Sequence, residues 1–156
     1  VELPSNMPFD AMNLILTAEA AAAFDELTRS NKDDLLVNQL IWAWPNNFRK
    51  ARFIPAVDFI NALRARTMLI EEYHRLAGQF DVIVAPTFSA QLGMTNLTGH
   101  PCLVFPDGFN ENGSPTSITL LGKLYGEAAL IAVGDAFQRV TEWDDQHPAL
   151  FTTTSQ

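Results

Sequence analysis

Three histidines, one cysteine, one well-placed serine and a pair of adjacent glutamates are the residues of this 156-residue chain that could do chemistry. His74, His100 and His147 are far apart, and no His-x-x-x-His or Cys-x-x-Cys spacing joins them, so no metal site is expected. Ser89, after "APTF", is the best-placed nucleophile candidate, but no residue near it in sequence is an evident base. The chain lacks a Gly-x-Ser-x-Gly elbow, a P-loop and a Gly-x-Gly-x-x-Gly turn. Glu71 and Glu72 are neighbours on a predicted helix, where side chains diverge by about 100°, so a shared acid–base pair is not expected. His74 reads as a surface residue, His100 in "GHP" as a turn residue, and Cys102 in "CLVF" as a small buried hydrophobe.

The elements that would position these residues follow from periodicity. A helix is predicted from about Asp10, its carboxylate capping the first turn, with Leu16, Ala20, Ala23, Phe24 and Leu27 on one apolar face. "DDLLVNQLIWAW" reads as a shorter helix stopped by Pro45, with Trp42 and Trp44 as packing residues. The strongest helical pattern spans about 55 to 77. Pro55 opens it, Gly78 caps it, and Val57, Ile60, Leu63, Met68, Ile70 and Tyr73 form its apolar stripe.

"DVIVAPT" and "CLVFP" have the form of strands buried on both faces. Asn112-Gly113 suits a type I′ turn, so that "SITLL" returns antiparallel. A last helix is predicted over 125 to 142, with Leu130, Val133, Phe137 and Val140 facing inward. The expected architecture is α/β: a few-stranded mixed sheet flanked by helices, residues 1–156 forming a single domain.

A net charge of −8, with only ten scattered basic residues, argues against a nucleic-acid partner. Arg49, Lys50 and Arg52, the densest basic cluster, read as a solvated helix edge. No run approaches the roughly 18 apolar residues of a membrane span, and a lone cysteine fits a reducing, cytoplasmic location. The chain opens on Val1, as expected of a processed product or of a piece of a longer protein.

Three stretches, in order, carry a resemblance: "FDVIVAPT", "TNLTGHPCLVFPDGFNENGSP" and "LLGKLYGEAALIAVGDAFQRVTEWDDQHP". Together with "ILTAEAAAAFDEL" they resemble the C-terminal part of amidase signature enzymes, over nearly the whole chain. The resemblance implies serine hydrolases of amides, or glutamine-using amidotransferase components, built on a large mixed sheet. It implies a Ser–cis-Ser–Lys triad supplied by an upstream, Gly/Ser-rich part of the polypeptide. No such stretch occurs here, so no catalytic residue is carried over and the isolated chain is expected to be inactive, with no cofactor and no metal.

Under this resemblance, "FSAQLGMTN" follows the strand "DVIVAP" at its C-terminal end, where open α/β sheets leave a crevice. Phe88, Ser89, Thr95 and Asn96 would then border a small amide substrate; the alternative is a plain surface connection with Asn96 capping a short helix. Two departures stand out. The connection "FSAQLGM" is short, and it holds no acidic residue of the kind that helps glutamine recognition in the A subunits of tRNA-dependent amidotransferases. A general amidase is therefore the first reading. A fragment of a glutamine-dependent tRNA amidotransferase A subunit is the alternative, and a non-catalytic interaction module on the same scaffold is the second alternative. The partners expected are the upstream catalytic part of the same polypeptide and, for the isolated chain, further copies of itself in a dimer or higher assembly.

Overall fold

The computed structural model describes residues 1–148 and 151. Among them are six α-helices, two short 3-10 turns and three strands. The chain divides into two compact units, residues 5–69 and residues 1–4 with 70–156.

In the first unit, α1 (Phe9–Ala23) packs on α3 (Trp44–Ala51), and α2 (Asp25–Arg29) and a 3-10 turn (Lys32–Leu35) lie between them in sequence. The cap position of α1 is Pro8, which makes no side-chain hydrogen bond; Asp10 lies inside the first turn, where its charge still favours the helix N-terminus. The buried face of α1 is Met12 and Ile15, while Leu16 and Phe24 of the predicted face are more than half exposed. Alanine at five of its last six positions gives no periodic contrast from which that face could be read.

The predicted helix over 33 to 44 does not form. After the 3-10 turn the chain is irregular, and Pro45 sits in the first turn of α3, opening a helix rather than ending one. A proline at that position gives up no intrahelical hydrogen bond. Trp44 stacks on Phe48 at 5.6 Å, and Phe24 on the same ring at 5.2 Å, whereas Trp42 is 67% exposed and does not pack as expected. The basic cluster is tied up in ion pairs. Arg49 meets buried Asp33 at 2.8 Å and exposed Asp34 at 2.5 Å, Arg52 meets Asp25, and Lys50 donates to the Ile41 carbonyl.

α4 (Ala56–Ala77) matches its predicted span. Its buried positions are Ala62, Leu69, Tyr73 and Ala77; Val57, Ile60 and Met68 of the predicted stripe are exposed. Small alanines fill the places where larger apolar residues were expected.

The second unit holds the sheet: β1 (Ile83–Pro86), β2 (Cys102–Phe109) and β3 (Pro115–Leu121), in the order β1-β3-β2. Both ladders are antiparallel, so among the described residues the sheet is antiparallel rather than mixed as expected: β3 lies between β1 and β2, and these two outer strands run parallel without pairing. Leu103, Phe105, Leu120 and Ile118 point to one face and pack with Leu130 and Phe137 of α6 (Glu127–Thr141). Ile83, Ala85 and Leu121 cluster on the other.

Neither predicted strand is buried on both faces. β1 alternates, with Val84 60% exposed between buried Ile83 and Ala85. In β2, Val104 is half exposed and Cys102 is exposed rather than buried. Both are edge strands, so one row of side chains meets solvent although these residues are as apolar as their buried neighbours.

The β2–β3 hairpin forms, but with a different turn. The Asn110 carbonyl accepts from the Gly113 N–H, and the Asn110 N–H donates to the Ser114 carbonyl. Gly113 is left-handed at φ 74° while Asn112 is not, giving a type I turn with a glycine bulge in place of type I′. The Asn110 side-chain oxygen also accepts from the N–H groups of Asn112 and Ser114, which stabilises this alternative. On α6, Leu130 and Gly134 face the sheet, while Val133 and Val140 of the predicted inner face are exposed. Gly134 lets the helix approach β2: a Cβ there would lie 2.7 Å from Leu103 Cδ2.

Candidate functional site

The residues after β1 do not form a loop. "FSAQLGMTNLT" becomes a tight bend at Phe88, with φ 59°, followed by α5 (Ala90–Thr98), whose cap position is Ser89. Gly99, left-handed at φ 76°, ends the helix, its N–H donating to the Thr95 carbonyl. A left-handed phenylalanine is uncommon, and here it turns the chain from strand to helix over three residues.

Buried Gln91 ties the bend together. Its side-chain nitrogen donates to the Pro86 carbonyl at 3.2 Å, and its oxygen accepts from Ser89 Oγ at 3.1 Å. Thr87 and Thr119 share a hydroxyl hydrogen bond at 2.9 Å, anchoring the strand end to β3. Thr95 is buried and spends its hydroxyl on the Gln91 carbonyl at 3.0 Å. Phe88 is 87% exposed and Asn96 is exposed on α5, inside the helix rather than at its cap.

A cleft of about 270 Å³ runs along the outer edge of β1, lined by Val82 to Pro86, Leu121, Val1, Leu3 and Ser89. Of the four residues named from sequence, only Ser89 lines it; Phe88 and Asn96 face solvent and Thr95 is directed inward. The hydrogen-bond partner of Ser89 is a carboxamide, which does not take up a proton near neutral pH, so this geometry does not activate the hydroxyl.

A second polar cluster was not legible from sequence. His100 is 4% exposed and Tyr73 fully buried. Their rings meet edge to face, and His74 lies 6.0 Å from His100, exposed as expected. His100 Nδ1 bonds Thr98 Oγ1 at 3.0 Å, while Nε2 and the Tyr73 hydroxyl are buried without a hydrogen-bond partner. Burial, then the neighbouring His74, lowers the His100 pKa below its ordinary value; burial and nearby Cys102 raise that of Tyr73. Gly99 as a helix cap and Pro101 before a strand were the available signals that His100 sits pinned between two elements. Among the described residues, no group of three His, Cys, Asp or Glu could hold a metal ion, and no helix is long and apolar enough to cross a membrane.

With strand, bend, helix and hairpin in place, the arrangement can be compared with known structures. A bacterial aryl acylamidase belonging to the amidase signature enzymes superposes with a TM-score of 0.73 at 17% identity, covering 93% of this chain and 36% of that one. A 6-aminohexanoate cyclic dimer hydrolase does so with a TM-score of 0.72 at 15% identity, covering 93% and 37%. The chain shares its fold with a part of amidase signature enzymes.

Similarity to curated proteins is visible in sequence as well. The A subunit of glutamyl-tRNA(Gln) amidotransferase from Chloroflexus aurantiacus is 36% identical over 109 residues, and that of Ralstonia nicotianae 30% over 111. Those matches take in 57% and 58% of this chain but only 22% of either relative. No protein-family model matches the chain. The chain thus spans less than half the length of the curated relatives and solved structures that it matches.

Proposed function

We propose that this chain is the C-terminal region of an amidase signature hydrolase, forming a wall of a site whose Ser–cis-Ser–Lys triad is supplied by another part of the same polypeptide. In that enzyme an amide carbonyl is attacked by the triad serine, the amine leaves, and water releases the acid. The observation that carries this reading is the strand–bend–helix of Pro86 to Thr98. It sets Ser89 beside a cleft at the sheet edge and provides no base for it. In the full enzyme Ser89, at the cleft, borders the substrate side together with the exposed Phe88 and Asn96, and buried Thr95, bonded to the Gln91 carbonyl, holds the helix that carries Asn96. The isolated chain has no amidase activity of its own.

A second reading has its own support. Relatives in sequence include amidotransferase A subunits, one of them 36% identical over 109 residues. A fragment of such a protein would belong to a glutamine-using enzyme with a transferase partner. The absence of an acidic residue in "FSAQLGM" supports the general amidase instead.

The test is the genomic sequence upstream of Val1, expressed together with this region. A Lys followed by a Gly/Ser-rich signature, and turnover of simple amides without a partner protein, support the hydrolase. Turnover of glutamine only in the presence of a transferase partner supports the amidotransferase reading. A start codon immediately before Val1 would overturn both in favour of a non-catalytic module.

A further inference from the structure

His100 sits where three elements of one compact unit meet. Tyr73 of α4 packs edge to face on its ring, Thr98 at the end of α5 bonds its Nδ1, and Pro101 leads from it into β2. The backbone on either side is fixed as well. The Gly99 N–H donates to the Thr95 carbonyl, and the Pro101 carbonyl accepts from the Gly122 N–H at 3.0 Å. His100 and Tyr73 are buried by this chain's own residues, so the joint is complete without any other part of a longer polypeptide.

The joint suits only a neutral imidazole. With one ring proton, Nδ1 and Thr98 Oγ1 share a hydrogen bond in either tautomer, and Nε2 is buried without a partner. A second proton makes Nε2 a buried donor on a cation, with no acceptor among the described residues. The surrounding groups do not offset that charge. Tyr73 and His74 face the ring from α4 and Thr98 from α5, while Cys102 of β2 acts on Tyr73; none is a carboxylate. A proton on His74, whose ring centroid lies 6.0 Å away, opposes one on His100.

We propose that His100 and His74 form an acid-sensitive latch, in which protonation of buried His100 releases residues 98–102 from Tyr73. In the closed joint burial, then His74, holds the His100 pKa below its ordinary value. In the opened segment the ring meets water and returns to about 6.5. The open form therefore takes up the proton first: the latch is shut above that value, and its opening grows as pH falls toward the closed-state pKa. Opening breaks the Pro101–Gly122 bond and frees the C-terminal end of α5, while Gln91 and Thr87 keep the other end tied to β1 and β3. The latch stands independently of the hydrolase reading.

Amide hydrogen exchange of the 156-residue protein from pH 8 to pH 5, corrected for the intrinsic pH dependence of exchange, tests it. The Gly99 and Gly122 amides are expected to share an opening more frequent than that of amides in the middle of α6. Low urea should leave this opening unchanged, as befits a local event that exposes little surface. It should grow several-fold between pH 8 and pH 5, toward the ceiling of roughly 30-fold that an ordinary histidine allows. His100→Phe should abolish the acid response. His74→Gln, at an exposed site, should lessen it by raising the closed-state pKa of His100, and this variant leaves the buried joint intact even if His100→Phe does not fold. An opening indifferent to pH, or an acid response that survives in His100→Phe or is unaltered in His74→Gln, overturns the proposal. Exchange of these two amides only through the urea-sensitive unfolding of the whole protein also overturns it.

Discussion

The rings of Tyr73 and His100 meet at 87° with centroids 4.5 Å apart, joining the last turns of α4 to the start of β2. Each ring has a buried polar atom without a hydrogen-bond partner, so the contact favours the neutral form of both. For His100 the folded-state pKa lies below the unfolded value of about 6.5. Its contribution to stability is complete above that value and is lost as pH falls from there toward the folded pKa, because the unfolded chain binds the proton first. The groups facing it are Tyr73 and His74 from α4 and Thr98 from α5, with Cys102 of β2 acting on Tyr73. Urea unfolding at pH 8 and pH 5 should show a loss that His100→Phe reduces; an unchanged pH slope in the variant would remove His100 as its source. For Tyr73 the sign is opposite in pH: stability declines above about pH 10, where the unfolded phenol ionises first.

The sheet depends on one helical side chain. Leu130 is 2% exposed and packs against Phe105 and Leu120. Leu130→Ala should destabilise the second unit by about 2–5 kcal/mol through lost burial and the cavity it leaves. Gly134→Val adds bulk where even a Cβ meets Leu103, and should cost about 1–3 kcal/mol. Denaturant melts followed by near-ultraviolet circular dichroism measure both; a Gly134→Val protein as stable as the parent would mean that α6 does not lie as close as described.

The hairpin turn offers a test of backbone conformation. Gly113→Ala forces a Cβ onto a left-handed residue and should destabilise by about 1 kcal/mol, although there is open space around it. Asn110→Ala removes the side-chain oxygen that accepts from two backbone N–H groups, and should cost about 0.5–2 kcal/mol. Were the turn type I′, Asn112→Ala would be the damaging change and Asn110→Ala nearly silent.

Much of this fold follows from patterns that survive at the level of single elements. The α4 span, the three strands, the hairpin and α6 were legible because prolines and glycines mark their ends: Pro55 and Gly78, Pro86, Gly113, Gly126. The buried faces were less legible. Alanines and small residues, such as Ala62, Ala77 and Gly134, occupy positions where close approach of neighbouring elements matters more than side-chain size. The strands misled for another reason. Val84 and Val104 are as apolar as their neighbours, yet they point outward from edge strands, and an apolar run does not reveal which strands are edges. Around the cleft, the serine was legible but not its partner. Gln91 holds the bend through carboxamide hydrogen bonds, and a lone glutamine in a polar stretch carries no periodic signal.

If Ser89 shapes the pocket rather than reacting, its removal has a graded effect. Ser89→Ala breaks one half-buried hydrogen bond to Gln91 and should change stability by less than about 1 kcal/mol. In the longer enzyme it should raise KM several-fold and keep kcat within about tenfold. A loss of kcat by three or more orders of magnitude would instead mark it as a nucleophile.

The most direct measurement on the chain itself is covalent. The purified 156-residue protein is incubated with a serine-directed fluorophosphonate and its intact mass recorded, with peptide mapping of any adduct. The account predicts an unmodified mass, because Ser89 bonds to the Gln91 carboxamide and the resemblance places the reactive serine in another part of the polypeptide. A stoichiometric adduct mapped to Ser89 would contradict it.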